Sequence, residues 1–258
     1  MRRVLVVICA MVLTSCGGPT GDGAGSDCPG GDAATLTVLA ASSLGPALEG
    51  ISREFASATG CEVDIRVSLG SSTALAGQII GGAPADVFVA AGESAVRTVT
   101  EGVGSAGEPR VVASNTAALM TRDPAVEKVD DLATASGRGI AVGLCVPSAP
   151  CGALADEVIG KVLPGTDRTG IVTTEVPSAA ELRAKIVMGE IDAGIVFVSD
   201  CTGTAPPVRC VSIPAAQNST VTYTAVPLVA DGAAGRFVGF LASPAGASIL
   251  ARHGFTAP

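Results

Sequence analysis

From Thr35 onward the apolar residues along the chain keep changing period. Short apolar runs, the pattern of strands buried on both faces, alternate with segments whose apolar residues return every third or fourth position, the pattern of amphipathic helices. A strand over 36–40 leads through Ala41-Ser42-Ser43 into a helix with Leu48, Ile51, Phe55 and Ala58 on one face, stopped by Gly60. A strand over 62–67 leads through Gly70-Ser71-Ser72 into a helix over 73–80, where Leu75, Ala76, Ile79 and Ile80 recur at helical spacing before Gly81-Gly82 ends it. Strands at 86–90, 139–144, 171–176, 193–198 and 211–213 follow, with helices at 93–101, 153–163 and 179–188 between them. Residues 129–133 read as a turn or short helix, and helices over 233–241 and 244–252 close the chain. Two extended segments, 111–121 and 221–229, are longer than the rest.

This β-α-β-α order predicts an α/β protein whose sheets are mostly parallel and flanked by helices. The chain is long enough for two such lobes, and the two long extended segments are the natural crossings between them. One lobe then holds 35–112 plus 226–258, and the other 113–225.

The N-terminus follows a different rule. Arg2-Arg3 precedes an apolar run over 4–13, too short to span a bilayer, and then comes Leu13-Thr14-Ser15-Cys16. The pattern predicts a lipoprotein signal peptide over 1–15, cut before Cys16, with lipid on the Cys16 thiol; an ordinary signal peptide cut further on is the alternative. Residues 16–34 are rich in Gly, Asp and Pro without periodicity and read as a flexible tether from the membrane.

Composition narrows the partners. With no Trp, one Tyr and six Phe, a surface that stacks sugars or bases is not expected. The formal net charge is −8 and the basic residues are scattered, which argues against nucleic acid or an anionic membrane surface. If such a chain holds an anion, it must do so with local neutral donors. Past Cys16 six cysteines remain, and six allow fifteen pairings. An exported chain favours disulfides. Close spacing suggests Cys145–Cys151 and Cys201–Cys210, leaving Cys28 for Cys61. The rival reading, a zinc site, lacks any C-x-x-C and has only His253 to offer, so no directly coordinated metal and no cofactor are expected.

In open α/β sheets ligands bind beyond the carboxyl ends of the strands, where helix N-termini present unpaired N–H groups and the positive end of the dipole. Four junctions here have that form: Ala41-Ser42-Ser43, Gly70-Ser71-Ser72, Pro150-Cys151-Gly152 and Pro177-Ser178-Ala179. Each taken singly is also explained as a helix cap. None carries Lys, Arg or a carboxylate. A protonated phosphate would need a carboxylate for its remaining hydrogen, so the donors suit a fully ionised tetrahedral oxyanion such as molybdate or sulfate. An enzyme is not expected: a hydrolase using Ser43 or Ser72 would need a placed base, and neither G-x-S-x-G nor a P-loop occurs. Asp86, Asp192 and Asp200 flank strands and read as solvated or loop-capping.

Three segments, A-A-S-S-L at 40–44, G-S-S-x-x-L-x-x-Q-I-x-x-G-A-P-A-D-V-F at 70–88 and G-E-I-D-A-G-I-V-F-V-S-D at 189–200, resemble the substrate-binding proteins of molybdate ABC transporters, over nearly all of 35–255. The C-V-P-S-A-P-C-G loop is similar to that of lipoprotein members with a disulfide there. The resemblance implies a type II periplasmic-binding-protein fold with a molybdate or tungstate oxyanion in the interlobe cleft. It also implies delivery to a membrane permease and its ATPase, a monomer, and lipid anchoring outside the cytoplasm. The implied donors are the hydroxyls of Ser43 and Ser72 and the backbone N–H groups of Cys151 and Ala179. Where the family usually adds a tyrosine hydroxyl, this chain has Phe197, which leaves a ligand oxygen to Ser42, Ser71 or Ser178 and keeps a sulfate receptor as the alternative.

Overall fold

The computed structural model describes residues 34–60, 63–230 and 232–258. The expected signal peptide, Cys16, the tether up to residue 33 and both members of the Cys28–Cys61 pair lie outside the described residues.

The chain opens with strand β1 (Ala34–Ala41), helix α1 (Gly45–Thr59), β2 (Val63–Gly70), α2 (Ser72–Ile80), β3 (Val87–Ala91) and α3 (Glu93–Gly102). Then come the long β4 (Arg110–Thr121), the short α4 (Leu132–Ala135), β5 (Val142–Cys145), α5 (Pro150–Val162), β6 (Thr174–Val176), α6 (Ala179–Met188) and β7 (Ala193–Phe197). The chain finishes with β8 (Arg209–Ser212), β9 (Thr220–Pro227), α7 (Gly232–Leu241) and α8 (Pro244–Arg252).

The strands order β2-β1-β3-β9-β4-β7-β5-β6, with β8 beside β4. Around β1 the pairs with β2 and β3 are parallel, as are the pairs of β5 with β6 and β7. The two parallel groups are joined by antiparallel strands. β9 lies against β3, and β4 pairs β9 over Arg110–Thr116 before it turns to β7 and β8 over Ala117–Thr121. Each group carries helices, so the fold is α/β as the alternating pattern predicts.

The apolar side chains divide the same way. Along β3, Val87, Val89 and Ala91 enter one cluster with Leu48, Phe55 and Phe237, while Phe88 and Ala90 enter another with Leu75 and Val99. Alternate residues of a strand point to opposite faces, so this sheet is covered on both sides. A separate cluster gathers buried residues from Ala117 to Ile213.

Several boundaries differ from the sequence expectation for local reasons. β5 begins at Val142, not 139, because Gly139 closes a 3-10 turn at φ +76°, a left-handed conformation that a strand does not use. β6 begins at Thr174, not 171, because the Asp167 side chain accepts from the Thr169 N–H and holds a turn up to Ile171. α5 starts at Pro150, ahead of 153, since proline already has helical φ and gives up only an N–H that the first turn leaves unpaired. The first strand takes in Ala34, which the composition had placed in the tether.

Candidate functional site

All four junctions open onto one cavity. It is small and is walled by Ala41, Ser42 and Ser43 after β1, Gly70, Ser71 and Ser72 after β2, and Ala91 at the end of β3. On the other side stand Pro150 and Cys151 after β5, Ser178 and Ala179 after β6, and Phe197 at the end of β7. Every one of these positions follows or ends a strand at its carboxyl end, where α/β sheets place ligands. Contacts already span the cleft: Thr73 Oγ1 donates to the Ser148 carbonyl at 2.7 Å, and the Ala180 N–H donates to Ser42 Oγ at 3.4 Å.

The wall from β1 and β2 offers hydroxyls. Ser72 is buried at the first position of α2, and its Oγ accepts from the Ala91 N–H at 2.9 Å. Ser43 is buried too, with its Oγ 2.8 Å from Tyr223 Oη. Neither serine acts as a simple N-cap. Ser71, half-buried at the N-cap of α2, makes no side-chain capping bond. Ser178 does follow the plain capping reading, since its Oγ accepts from the Glu181 N–H at 3.3 Å.

The facing wall offers amides. The N–H groups of Cys151 and Ala179 lie in the first turns of α5 and α6 and make no backbone hydrogen bond among the described residues. The Cys145–Cys151 disulfide, with Cα atoms 5.7 Å apart, ties the start of α5 to the end of β5. The loop closes so tightly that a Cβ on Gly152 would overlap the Val146 carbonyl. Arg168 braces it from below: its guanidinium donates to the Cys145 carbonyl and pairs with Asp156 and, at 3.0 Å, Glu175. The second expected disulfide, Cys201–Cys210, is also present, with Cα atoms 6.0 Å apart.

Among the described residues no ionisable side chain lines the cavity. A larger groove next to it is bordered by Glu93 and Glu157, which disfavour an anion there. Asp86 and Asp192 are loop caps, accepting from the Thr37 and Ala141 N–H groups at 2.6 and 2.9 Å. Asp200 departs from the solvated reading: it is buried behind Phe197 and accepts from the Phe197 N–H at 3.0 Å. Burial lifts its pKa to about 7, against the opposing pull of that hydrogen bond and of Arg183. His253 ends α8 and is not in the wall, so neither serine faces a histidine base there.

Sequence reasoning overlooked Tyr223. It lies on β9, is fully buried, and packs edge-on against Phe197 and Phe255 with ring centroids 6.2 and 5.1 Å away. The signal was available, since it is the chain's one tyrosine, but only the sheet order brings β9 beside β3 and hence beside Ser43.

A two-lobed sheet with a neutral, donor-lined cleft is the architecture of a solute-binding protein, and the chain belongs to the bacterial extracellular solute-binding protein family, whose model matches residues 36–256. It is 31% identical to the molybdate-binding protein ModA of Mycobacterium tuberculosis (strain H37Rv) over 254 residues, covering 95% of this chain and 93% of that one. Among solved structures it superposes on the periplasmic molybdate-binding protein of Azotobacter vinelandii with a TM-score of 0.74 at 22% identity, covering 86% of this chain and 99% of that one. The sulfate-binding protein SubI of Mycobacterium tuberculosis H37Rv gives the same TM-score of 0.74 at 18% identity, with 87% of each chain covered. At these identities the two structures speak to the fold. The family is extracytoplasmic, and the relatives named are binding proteins.

Proposed function

We propose that this protein is a lipid-anchored extracytoplasmic receptor that captures molybdate, and tungstate of the same charge and shape, and hands it as a monomer to the permease and ATPase of an ABC transporter. The observation that carries the reading is the convergence of four strand–helix junctions, two on each wall, on one small cavity that no charged side chain among the described residues lines. A dianion that keeps no proton needs donors only, and the hydroxyls of Ser43 and Ser72 with the amides of Cys151 and Ala179 supply them. Ser42, Ser71 and Ser178 border the same space. The similarity to ModA over 95% of the chain supports molybdate as the cargo. In this reading 35–112 with 226–258 and 113–225 are the two lobes, β4 and β9 are the crossings, and closure on the anion is what the permease senses. The signal peptide over 1–15 and lipid on Cys16 complete it.

A sulfate receptor is the second reading. It draws on the likeness to SubI and on Phe197, which brings a ring without a hydroxyl to the wall. Isothermal titration of the chain from residue 33 onward with molybdate, tungstate, sulfate and phosphate separates the two. The proposal expects tight one-to-one binding of molybdate and tungstate with sulfate far weaker. Sulfate binding as tight as molybdate favours the second reading, and silence from all four anions overturns both.

A further inference from the structure

We propose that Tyr223 is a positioning residue for anion capture: from behind the cavity wall its phenol donates to Ser43 Oγ, so that the only proton of that serine faces the ligand. The inference rests on the oxyanion reading above and extends it to a residue that does not touch the cavity.

A hydroxyl has one proton and two lone pairs, and a fully ionised oxyanion presents only acceptors. A serine therefore serves such a ligand only if its proton points into the cavity. A donor placed behind the oxygen enforces that orientation by occupying a lone pair. Ser72 has such a donor in the Ala91 N–H at 2.9 Å. For Ser43 the group in the equivalent place is Tyr223 Oη at 2.8 Å, where either oxygen can supply the proton. If Ser43 donated to the phenol, its lone pairs would face the anion, and the repulsion would remove a donor from the site.

The surroundings of Tyr223 favour the useful polarity. Burial raises the pKa of the phenol above its ordinary value, so it stays neutral and keeps its proton. Of the two hydroxyls the phenol is the more acidic and so the better donor, and Asn115 lies near it. Asn115 is itself fixed: its Oδ1 accepts from the Thr116 N–H at 2.9 Å, and its Nδ2 donates to Ser199 Oγ at 2.8 Å. The hydroxyl missing at Phe197 is thus found one ring away, on β9, acting through Ser43 instead of on the ligand.

Tyr223 is the only tyrosine in a chain with no tryptophan, so the tyrosine absorbance band reports this one phenol. Two measurements test the proposal. In the first, saturating molybdate is added to the wild type: a phenol made a stronger donor shifts its band to the red, and the shift is absent in Ser43→Ala. In the second, molybdate is titrated calorimetrically into the wild type, Tyr223→Phe, Ser43→Ala and the double variant. Tyr223→Phe keeps the ring packing and is expected to weaken binding by roughly tenfold, the value of about one hydrogen bond. In the Ser43→Ala background the same change is expected to cost less than about twofold, because its partner is gone. Wild-type affinity in Tyr223→Phe, an equal loss with and without Ser43, or a band unmoved while calorimetry shows binding each overturns the proposal. Failure of the wild type to bind molybdate or any other oxyanion overturns instead the reading on which it rests.

Discussion

On the wall built by β1 and β2 the proposed donors are side-chain hydroxyls, Ser43 and Ser72, while on the facing wall built by β5 and β6 they are backbone amides, those of Cys151 and Ala179. The two walls solve the same problem with different parts. A hydroxyl rotates, so each serine needs a second group behind it: the Ala91 N–H for Ser72, Tyr223 for Ser43. An amide is aimed by its helix, so that wall needs its backbone held instead, by the Cys145–Cys151 disulfide and the Arg168 brace at one junction and the Ser178 cap at the other. One wall is therefore open to single side-chain deletions. The other can be broken only through the backbone.

The largest effect should come from Gly152→Ala. The added Cβ would overlap the Val146 carbonyl, and relieving it must move the first turn of α5 and the Cys151 amide with it. Overpacking of this kind costs about 1–3 kcal/mol of stability, and displacement of the amide is expected to weaken molybdate binding by at least about a hundredfold. Melting and titration together check this; an unchanged affinity would mean that the amide wall is not part of the site. Next in size are Ser43→Ala and Ser72→Ala, each expected to weaken binding by on the order of 1.5–3 kcal/mol, since each removes a hydrogen bond to a charged group. Melting temperatures close to the wild type with that loss of affinity would set the hydroxyl wall apart from the amide wall. Wild-type affinity in both serine variants would leave the comparison without its first half.

How far this contrast was readable beforehand depends on which residue is asked. The junctions were legible because Gly, Ser and Pro break the apolar period just where a strand ends and a helix starts, and a helix start always leaves amides unpaired. That Ser43, Ser72, Cys151 and Ala179 share one cavity follows from the parallel pairing of β1 with β2 and of β5 with β6, which places those ends on one edge. What stands behind the serines was not legible. Tyr223 lies 180 residues from Ser43, and no local pattern carries a contact set by sheet order. For Asp200 the capping half of the expectation holds, since it accepts the Phe197 N–H, but not the solvated half, because its burial comes from packing beneath Phe197 and β4 and not from its neighbours in sequence.

A smaller effect tests whether the neutrality of the cavity extends to what lies beneath it. The pKa of Asp200 is raised in the folded chain to about 7, so the unfolded chain loses this proton first. The resulting contribution to stability is fully present below the ordinary carboxylate pKa of about 4 and is lost as pH rises through about 7. Wild-type stability should therefore fall across that window, and Asp200→Asn should flatten the fall while Phe197 N–H keeps an acceptor. Parallel pH profiles for the two proteins would mean that Asp200 is ionised throughout, paired with Arg183, whose Nε donates to its backbone carbonyl at 2.8 Å.

The smallest change expected is Phe197→Tyr, and it bears most directly on the asymmetry between the walls. Among the described residues Phe197 is the one aromatic ring in the cavity wall, and it enters from the amide side. At 2% exposure it leaves an added hydroxyl little choice but to face the cavity or the polar groups around Tyr223 and Asp200. If it faces the cavity, the amide wall gains a side-chain donor beside Ser178, and molybdate binding should tighten by about 1 kcal/mol, the net worth of one hydrogen bond. The neighbouring Tyr223 already gives Ser43 its direction, so the new hydroxyl would add a contact without replacing that relay. Binding weakened by a comparable amount would mean that Ser42, Ser71 or Ser178 already fills that corner and the added oxygen crowds it. Titration of Phe197→Tyr beside the double variant Phe197→Tyr/Tyr223→Phe decides how the two hydroxyls relate: additive changes mean that they act on separate ligand oxygens, and a compensating pair means that one ring can do the work of the other.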